Sequence, residues 1–382
     1  MKLRDCHNIG DFRALAERRL PWPVFDYIDG AAYDEITKAR NTSAFDDVDL
    51  VPDVLAGVGD IDTSCMIMGR SSALPLMLSL TALQRAFHRD GERAVALAAE
   101  KFGVWFGISS LATHSIEEIA ALTGGPKLFQ LYVHKDKGLN ASMIERCQAA
   151  KFDALALTVD TIVSGKRERC LRSGFTTPPR FTQSALWSYA TRPRWTMDYV
   201  FGPKFRLPNL DGYVQEGTGR PVSIQDYFNT MLDTNMDWDT AARIRQDWGG
   251  PFALKGIMSV ADARRAVEIG ADAIMISNHG GRQLDGSRAP FDQLREIVDA
   301  VGGEIEIILD GGVRRGTHVL KSVAAGATAA SGGRLYLYAL AAAGQAGVER
   351  AVNILKEEIE RGMRLMGVTS LSQLTPDRLR WR

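Results

Sequence analysis

The 382-residue chain balances 46 Lys and Arg against 46 Asp and Glu, with 45% hydrophobic and 24% charged residues, the proportions of an ordinary water-soluble globular protein. A net charge of zero excludes a global field that would draw the chain onto nucleic acid or an acidic membrane. Cys6, Cys65, Cys147 and Cys170 stand far apart, with no CxxC pair and no metal-type spacing, which reads as free thiols and no metal centre.

The N-terminus, MKLRDCHNIGDF, lacks an apolar signal core, and the most apolar stretch, 335–344, is too short to span a bilayer, so a cytoplasmic protein is expected. Residues 1–73, with one helical stretch over 11–29, are expected to cap the domain that follows. From there eight short apolar runs recur, at 74–80, 104–110, 127–133, 154–160, 252–256, 273–278, 305–310 and 327–333. Helical patterns such as 91–103 and 259–271 lie between them, the second with Ser259 as N-cap and Gly270 as stop. Eight strand–helix units in series predict an α/β fold, a (β/α)8 barrel. An open doubly wound sheet would carry GxGxxG after its first strand, and none is there. The one break in the period is a long insertion after strand 4, its middle (178–213) rich in Pro, Arg and aromatic residues. The whole chain, 1–382, is thus expected to form a single barrel domain with an N-terminal cap and an insertion loop.

Barrel enzymes place their chemistry at the C-terminal ends of the strands. Those ends read Thr81, Ser109, Gln130 and Tyr132, Thr158 and Asp160, Lys255, Ser277 and His279, Asp310, and Gly333-Arg334, a polar ring suited to a large flat ligand. DGGVRRG (310–316) and GGR (332–334) close strands 7 and 8 with glycine amides and arginines, a pattern that suits phosphate. His279 and Arg282 stand three residues apart in SNHGGRQLDG (277–286), pairing a group that takes protons near neutral pH with one that grips carboxylates. Asp160 is placed to orient His279, and Arg167 is a second candidate carboxylate ligand. Lys255, buried at a strand end, requires an anionic partner, and a reduced flavin would be one.

PLMLSLTALQRAFHRDGE, FQLYVHKD, LTVD, LKG, SNHGGRQLDG, DGGVRRGT and GGRLYLYALAAAGQAGV resemble the motifs of the FMN-dependent (S)-2-hydroxy-acid oxidases and dehydrogenases, in family order. That family includes glycolate oxidase, mandelate dehydrogenase and L-lactate dehydrogenase, and the C-terminal segment looks most like the bacterial lactate dehydrogenases. The resemblance implies FMN as cofactor, a small 2-hydroxy acid as substrate, quinone or oxygen as acceptor, and a homo-oligomer, a tetramer. It implies His279 as base with Asp160 beside it. Arg167 and Arg282 would hold the substrate carboxylate, and Tyr27 and Tyr132 would hydrogen-bond the substrate. Thr81, Ser109, Gln130, Thr158, Lys255 and Ser277 would meet the flavin ring and ribityl chain, Asp310 the ribityl chain, and Gly312, Arg314, Gly333 and Arg334 the phosphate. An oxygen-using oxidase and an inactive FMN-binding protein are the alternatives.

The chain departs from the family pattern at Leu80 and Arg89, where proline is usual, at Ile162, where it is frequent, and at Cys170, where the motif ends in Asp. Leu111 stands where glycolate oxidases carry Trp. Strand 8, ATAASGG, lacks branched apolar residues, so loose packing is expected there. Residues 180–206 interleave Arg180, Arg192, Arg194, Lys204 and Arg206 with aromatic residues against the single acid Asp198, a composition suited to peripheral contact with an anionic membrane.

Overall fold

The computed structural model describes residues 1–175, 183–211 and 230–382. Eight parallel strands close into a barrel: β1 (Leu76–Thr81), β2 (Trp105–Ser109), β3 (Lys127–Leu131), β4 (Ala154–Thr158), β5 (Phe252–Ile257), β6 (Ala273–Ser277), β7 (Glu306–Asp310) and β8 (Ala329–Gly332). They pair in chain order, and β8 returns to pair with β1. Each lies within two or three residues of its predicted run. The runs are legible because a barrel strand is covered on both faces, by the interior and by the helices.

Residues two apart in a strand share a face, and along each strand the interior changes character. At its lower levels the barrel is filled by Met77, Trp105, Leu128, Ala154, Ala156, Ala253, Met275, Ile308 and Ala329. Ile67 and Met68, from a hairpin of Cys65–Ile67 with Arg70–Ser72, join that cluster. The Met68 amide donates to Glu306 at the start of β7, so the hairpin closes the N-terminal end. Two residues beyond the apolar level, or four on β2 where Gly107 intervenes, the same phase yields Ser79, Ser109, Gln130, Thr158, Lys255, Ser277, Asp310 and Ser331, one polar side chain from every strand. The barrel is packed below and polar above.

Two expectations need correction. The helical stretch over 11–29 is two helices, α1 (Ile9–Arg19) and α2 (Trp22–Asp29), parted at Pro21, which has no N–H for the ladder. Strand β8 is not loose. Ala329, Ala330 and Ser331 are fully buried and the strand is paired on both sides. Leu335 packs closely over Gly332, where a Cβ would lie 2.5 Å from its terminal methyl. The other helices agree with the reading: Gly91–Phe102 ends at Gly103 with φ +61, and Ser259 caps Val260–Glu268 ahead of Gly270 at φ +72.

The insertion after β4 holds helices Glu168–Ser173, Gln183–Ala190 and Pro193–Phe201 before Trp238–Trp248 leads back to β5. Of the expected loop over 178–213, residues 178–182 and 212–213 lie outside the described residues, and with them Arg180 and Phe181 of the basic segment over 180–206. The Trp22 amide donates to Ser188 Oγ at 2.8 Å, tying the insertion to α2.

Candidate active site

A cavity opens at the C-terminal end of the barrel. Its wall includes Tyr27 from α2, Thr81, Gln130, Tyr132, Arg167, Lys255, His279, Arg282, Asp310, Gly312, Arg314, Gly333 and Arg334. Residues from ten separate segments of chain meet there.

His279 Nδ1 lies 3.0 Å from Asp160 Oδ1, which leaves Nε2 as the nitrogen free to exchange a proton. Thr161 Oγ1 donates to the same carboxylate oxygen at 2.9 Å and sits 3.3 Å from His279 Nδ1. Burial pushes the imidazole below its ordinary value, against the pull of Asp160, and Lys255 adds to the depression. Burial alone would raise the Asp160 carboxyl, but His279 and Lys255 outweigh it and hold it low. The pair therefore favours neutral imidazole beside carboxylate. His279 adopts φ +57, a left-handed backbone that few non-glycine residues take, and glycines 280 and 281 share that conformation. The strained turn is held by Asn278, whose Oδ1 accepts from the Gly281 amide and from Asn41 Nδ2.

Two guanidiniums flank the aromatic ring of Tyr27, Arg282 at 4.8 Å and Arg167 at 5.2 Å from its centroid. Arg282 donates to the carbonyls of Tyr27 at 2.7 Å and Gly30 at 3.1 Å, so backbone fixes its position. Burial and the nearby Arg167 lower its pKa to about 10. Neither arginine has a carboxylate partner among the described residues. Their surroundings are completed by a group of residues that the sequence did not single out. Arg169 donates to Asp26 at 3.0 Å and to Asp29 at 2.9 Å, fastening the Arg167 segment onto the helix that carries Tyr27. Asp29 also takes Arg13 and the Tyr338 hydroxyl, each at 2.7 Å. Gln283 is a similar tie, accepting from the Gly165 amide and donating to the Asp160 carbonyl. Cys170 packs under this group with its thiol pKa raised by burial.

At the cavity floor, Asp310 accepts from Ser79 and Ser277 at 2.8 Å each and lies 3.2 Å from Lys255 Nζ. The anionic partner expected of Lys255 is thus supplied by the protein. Burial would depress the ammonium, but Asp310 and Asp160 overcome it and keep it charged. Ser109, Thr158 and Ser277 do not line the cavity, unlike the other residues expected around the flavin. Their hydroxyls serve neighbours: Ser109 accepts from the Leu111 amide, Thr158 from Gln130, and Ser277 from Lys255.

At the ends of β7 and β8, Arg314 and Arg334 are both pushed below their ordinary pKa by burial, and neither meets a carboxylate among the described residues. Arg334 donates to the carbonyls of Ile28, Gly280 and Gly30, which accounts for three of its five N–H groups. Gly312 is required for packing, since a Cβ there would collide with the Asn41 carbonyl at 1.8 Å. Buried Arg334 and part-buried Arg314, neither in contact with a carboxylate among the described residues, stand beside glycine amides and above a flat polar floor, and together fit a ligand with an anionic phosphate end and a planar hydrogen-bonding ring. FMN has that shape and charge.

The site and fold define a flavin-dependent oxidoreductase barrel. The chain matches the FMN-dependent dehydrogenase family over residues 16–381 and belongs to it. It is 41% identical to L-lactate dehydrogenase of Alcaligenes faecalis, over 97% of each chain. It is 39% identical to L-lactate dehydrogenase of Pectobacterium atrosepticum, over 97% of this chain and 95% of that one. Among solved structures it is similar to the monotopic membrane protein (S)-mandelate dehydrogenase, with TM-score 0.92 and 31% identity over 99% of this chain and 100% of that one. The protein is an FMN-dependent oxidoreductase acting on 2-hydroxy acids.

Proposed function

We propose that the protein oxidises a small L-2-hydroxy acid, with L-lactate the first substrate to test, and passes the electrons to a membrane quinone. The observation that carries the reading is the His279–Asp160 pair sharing one cavity with Arg167, Arg282 and two tyrosines. Arg167 and Arg282 bind the carboxylate, and the carbonyls that hold Arg282 fix the orientation in advance. Tyr27 and Tyr132 hydrogen-bond the substrate beside its hydroxyl-bearing carbon. His279 receives one substrate proton at Nε2, and Asp160 stabilises the imidazolium that results. Lys255, kept charged by Asp310, faces the developing negative charge from the floor. Bound FMN supplies the acceptor for the two electrons that convert the hydroxy acid to the 2-oxo acid.

Thr81, Gln130, Lys255 and Asp310 are the residues offered to the flavin ring and ribityl chain, with Ser109, Thr158 and Ser277 orienting them from behind. Gly312, Arg314, Gly333 and Arg334 are offered to the phosphate. Residues 1–73 act as a cap within a single domain, because the carbonyls of Tyr27, Ile28 and Gly30 anchor Arg282 and Arg334.

The quinone reading rests on the insertion. Its helices Gln183–Ala190 and Pro193–Phe201 expose Leu186, Trp187, Met197, Val200 and Phe201, apolar side chains suited to lying in a membrane interface on the cytoplasmic side. No helix among the described residues is long and apolar enough to cross a membrane. Anaerobic mixing of the flavin-loaded protein with L-lactate is expected to bleach the flavin, and a soluble quinone analogue to restore it faster than oxygen does. Rapid reoxidation by oxygen, with hydrogen peroxide formed in step with substrate, would replace the quinone reading with an oxidase.

A further inference from the structure

Behind the cavity wall lies a buried carboxylate that the chemistry above does not use. Glu92, in the first turn of helix Gly91–Phe102, has none of its surface exposed. Its Oε1 accepts from the amides of Gln84 at 3.2 Å and Thr113 at 2.9 Å. Its Oε2 accepts from the Thr113 hydroxyl and lies 2.9 Å from His114 Nδ1. On the far side of the ring, Arg85 Nη2 lies 3.0 Å from His114 Nε2. A guanidinium can only donate, so Nε2 accepts and the imidazole proton sits on Nδ1, facing Glu92. His114 is thus a neutral bridge between a buried carboxylate and a cation. Burial would raise the Glu92 carboxyl, but His114 and Thr113 outweigh it and hold it low.

The bridge ties together two loops. Gln84 and Arg85 belong to the loop after β1, and Thr113 and His114 to the loop after β2. Leu83, beside Gln84, stands at φ +61, a strained backbone for leucine, and its amide donates to the Leu111 carbonyl at 3.2 Å. The Gln84 side chain extends the hold to the barrel, donating to Thr81 Oγ1 at 3.1 Å and the Tyr336 hydroxyl at 3.2 Å. Each loop brings a large apolar side chain to the cavity wall, Phe87 from the first and Leu111 from the second. Phe87 stacks on Tyr27 at 6.1 Å, and Tyr27 is the ring flanked by Arg167 and Arg282.

We propose that the Glu92–His114–Arg85 bridge is a positioning device that fixes Phe87 and Leu111, and through them the side chain that the substrate pocket accepts. The inference rests on the 2-hydroxy-acid reading of the cavity and goes beyond it by naming what holds the apolar wall. An acid gripped by the two arginines meets that wall with the group carried on its Cα. His114 touches neither substrate nor flavin, so its loss acts on side-chain binding and not on proton transfer.

The test is anaerobic flavin reduction of the holoenzyme by L-lactate or L-mandelate, whichever is faster in wild type. H114Q keeps the bridge, because its amide N–H can donate to Glu92 while its carbonyl accepts from Arg85. H114L fills the space and can do neither. E92Q breaks the bridge from the other end. Two backbone amides hold its carbonyl at the Oε1 position, so its N–H faces Nδ1, the ring proton moves to Nε2, and that proton opposes Arg85. The expected result is a rise of roughly tenfold in the saturation constant for H114L and E92Q, with the limiting rate kept and little change in H114Q. Oxalate, a carboxylate with no side chain, should inhibit all four proteins equally. If H114L fails to fold, E92Q against H114Q carries the same comparison. A saturation constant unchanged in E92Q, one that rises as much in H114Q, or an equal weakening of oxalate would overturn the positioning role. A wild-type flavin that no 2-hydroxy acid reduces would instead overturn the function reading on which the inference stands.

Discussion

The two arginine-rich cavities differ in how their cations are held. In the barrel cavity, Arg282 and Arg334 donate to backbone carbonyls of the cap and Arg167 lies against the Tyr27 ring, all facing a histidine–carboxylate pair. In the second, between α1, the loop after β1 and the insertion helix Pro193–Phe201, four of the six arginines are exposed, and the histidine on its wall, His88, lies 3.5 Å from the surface carboxylate of Asp90. Positive charge alone selects an anion. Charge fixed in place, beside a group that can take a proton, can also convert one. The comparison assigns chemistry to the barrel cavity, whose cations are held in place around the dyad.

The largest effect that would sharpen this contrast belongs to His279. Asparagine tolerates the left-handed backbone at that position but cannot act as a base, so His279→Asn is expected to keep its flavin. Anaerobic reduction by substrate should slow by roughly 10³–10⁴-fold, and an undiminished rate would remove the base assignment. Next comes Arg167→Lys, which keeps the charge and loses the fork. A loss of about tenfold to a hundredfold in kcat/KM, mostly in KM, is expected in steady-state assays, and a change confined to kcat would argue against carboxylate binding.

The pH profile gives a smaller, graded effect. Because burial lowers the His279 pKa, the neutral base persists below the ordinary histidine value of about 6.5. The reduction rate should therefore stay level through neutral pH and fall only as the pH drops below that value. An acid limb centred above it would contradict the neutral pair. Arg169→Gln should act through position, since Asp29 keeps Arg13 and Lys38. A loss of about 1 kcal/mol in thermal unfolding with a rise of a few-fold in KM is expected, and an unchanged KM would make Arg169 purely structural. Smallest of all, W187S/F201S should leave anaerobic flavin reduction unaltered while lowering vesicle flotation. A slowed reduction would show that the insertion reaches the chemistry.

How much of this was legible in the sequence follows from range. The barrel strands were legible because burial on both faces leaves continuous apolar runs, and the polar strand ends because the two-residue period continues past the apolar fill. His279 and Arg282 announce themselves within one decapeptide. What stayed hidden depends on contacts between distant positions. Lys255 finds its anion 55 positions away at Asp310, and Arg334 is held by carbonyls some 300 residues earlier. Nothing local in the sequence singles out Arg169, yet it closes onto Asp26 and Asp29. Ser109, Thr158 and Ser277 occupy the right strand ends, but small hydroxyls on an inward phase bond their neighbours before they reach the cavity. Strand β8 looked weak because propensity counts side chains, whereas the structure buries its small residues and pairs the strand on both sides.

The central claim is that the barrel cavity oxidises a 2-hydroxy acid held by its carboxylate and deprotonated by His279. Rapid anaerobic mixing of the FMN-loaded protein with L-lactate, D-lactate, L-mandelate and a long-chain L-2-hydroxy acid tests it most directly, with His279→Asn in parallel. The account predicts that at least one L-acid bleaches the flavin in wild type, that D-lactate does not, and that the variant is slower by orders of magnitude. A bound flavin that none of these acids reduces, or one reduced equally fast in the variant, would contradict it.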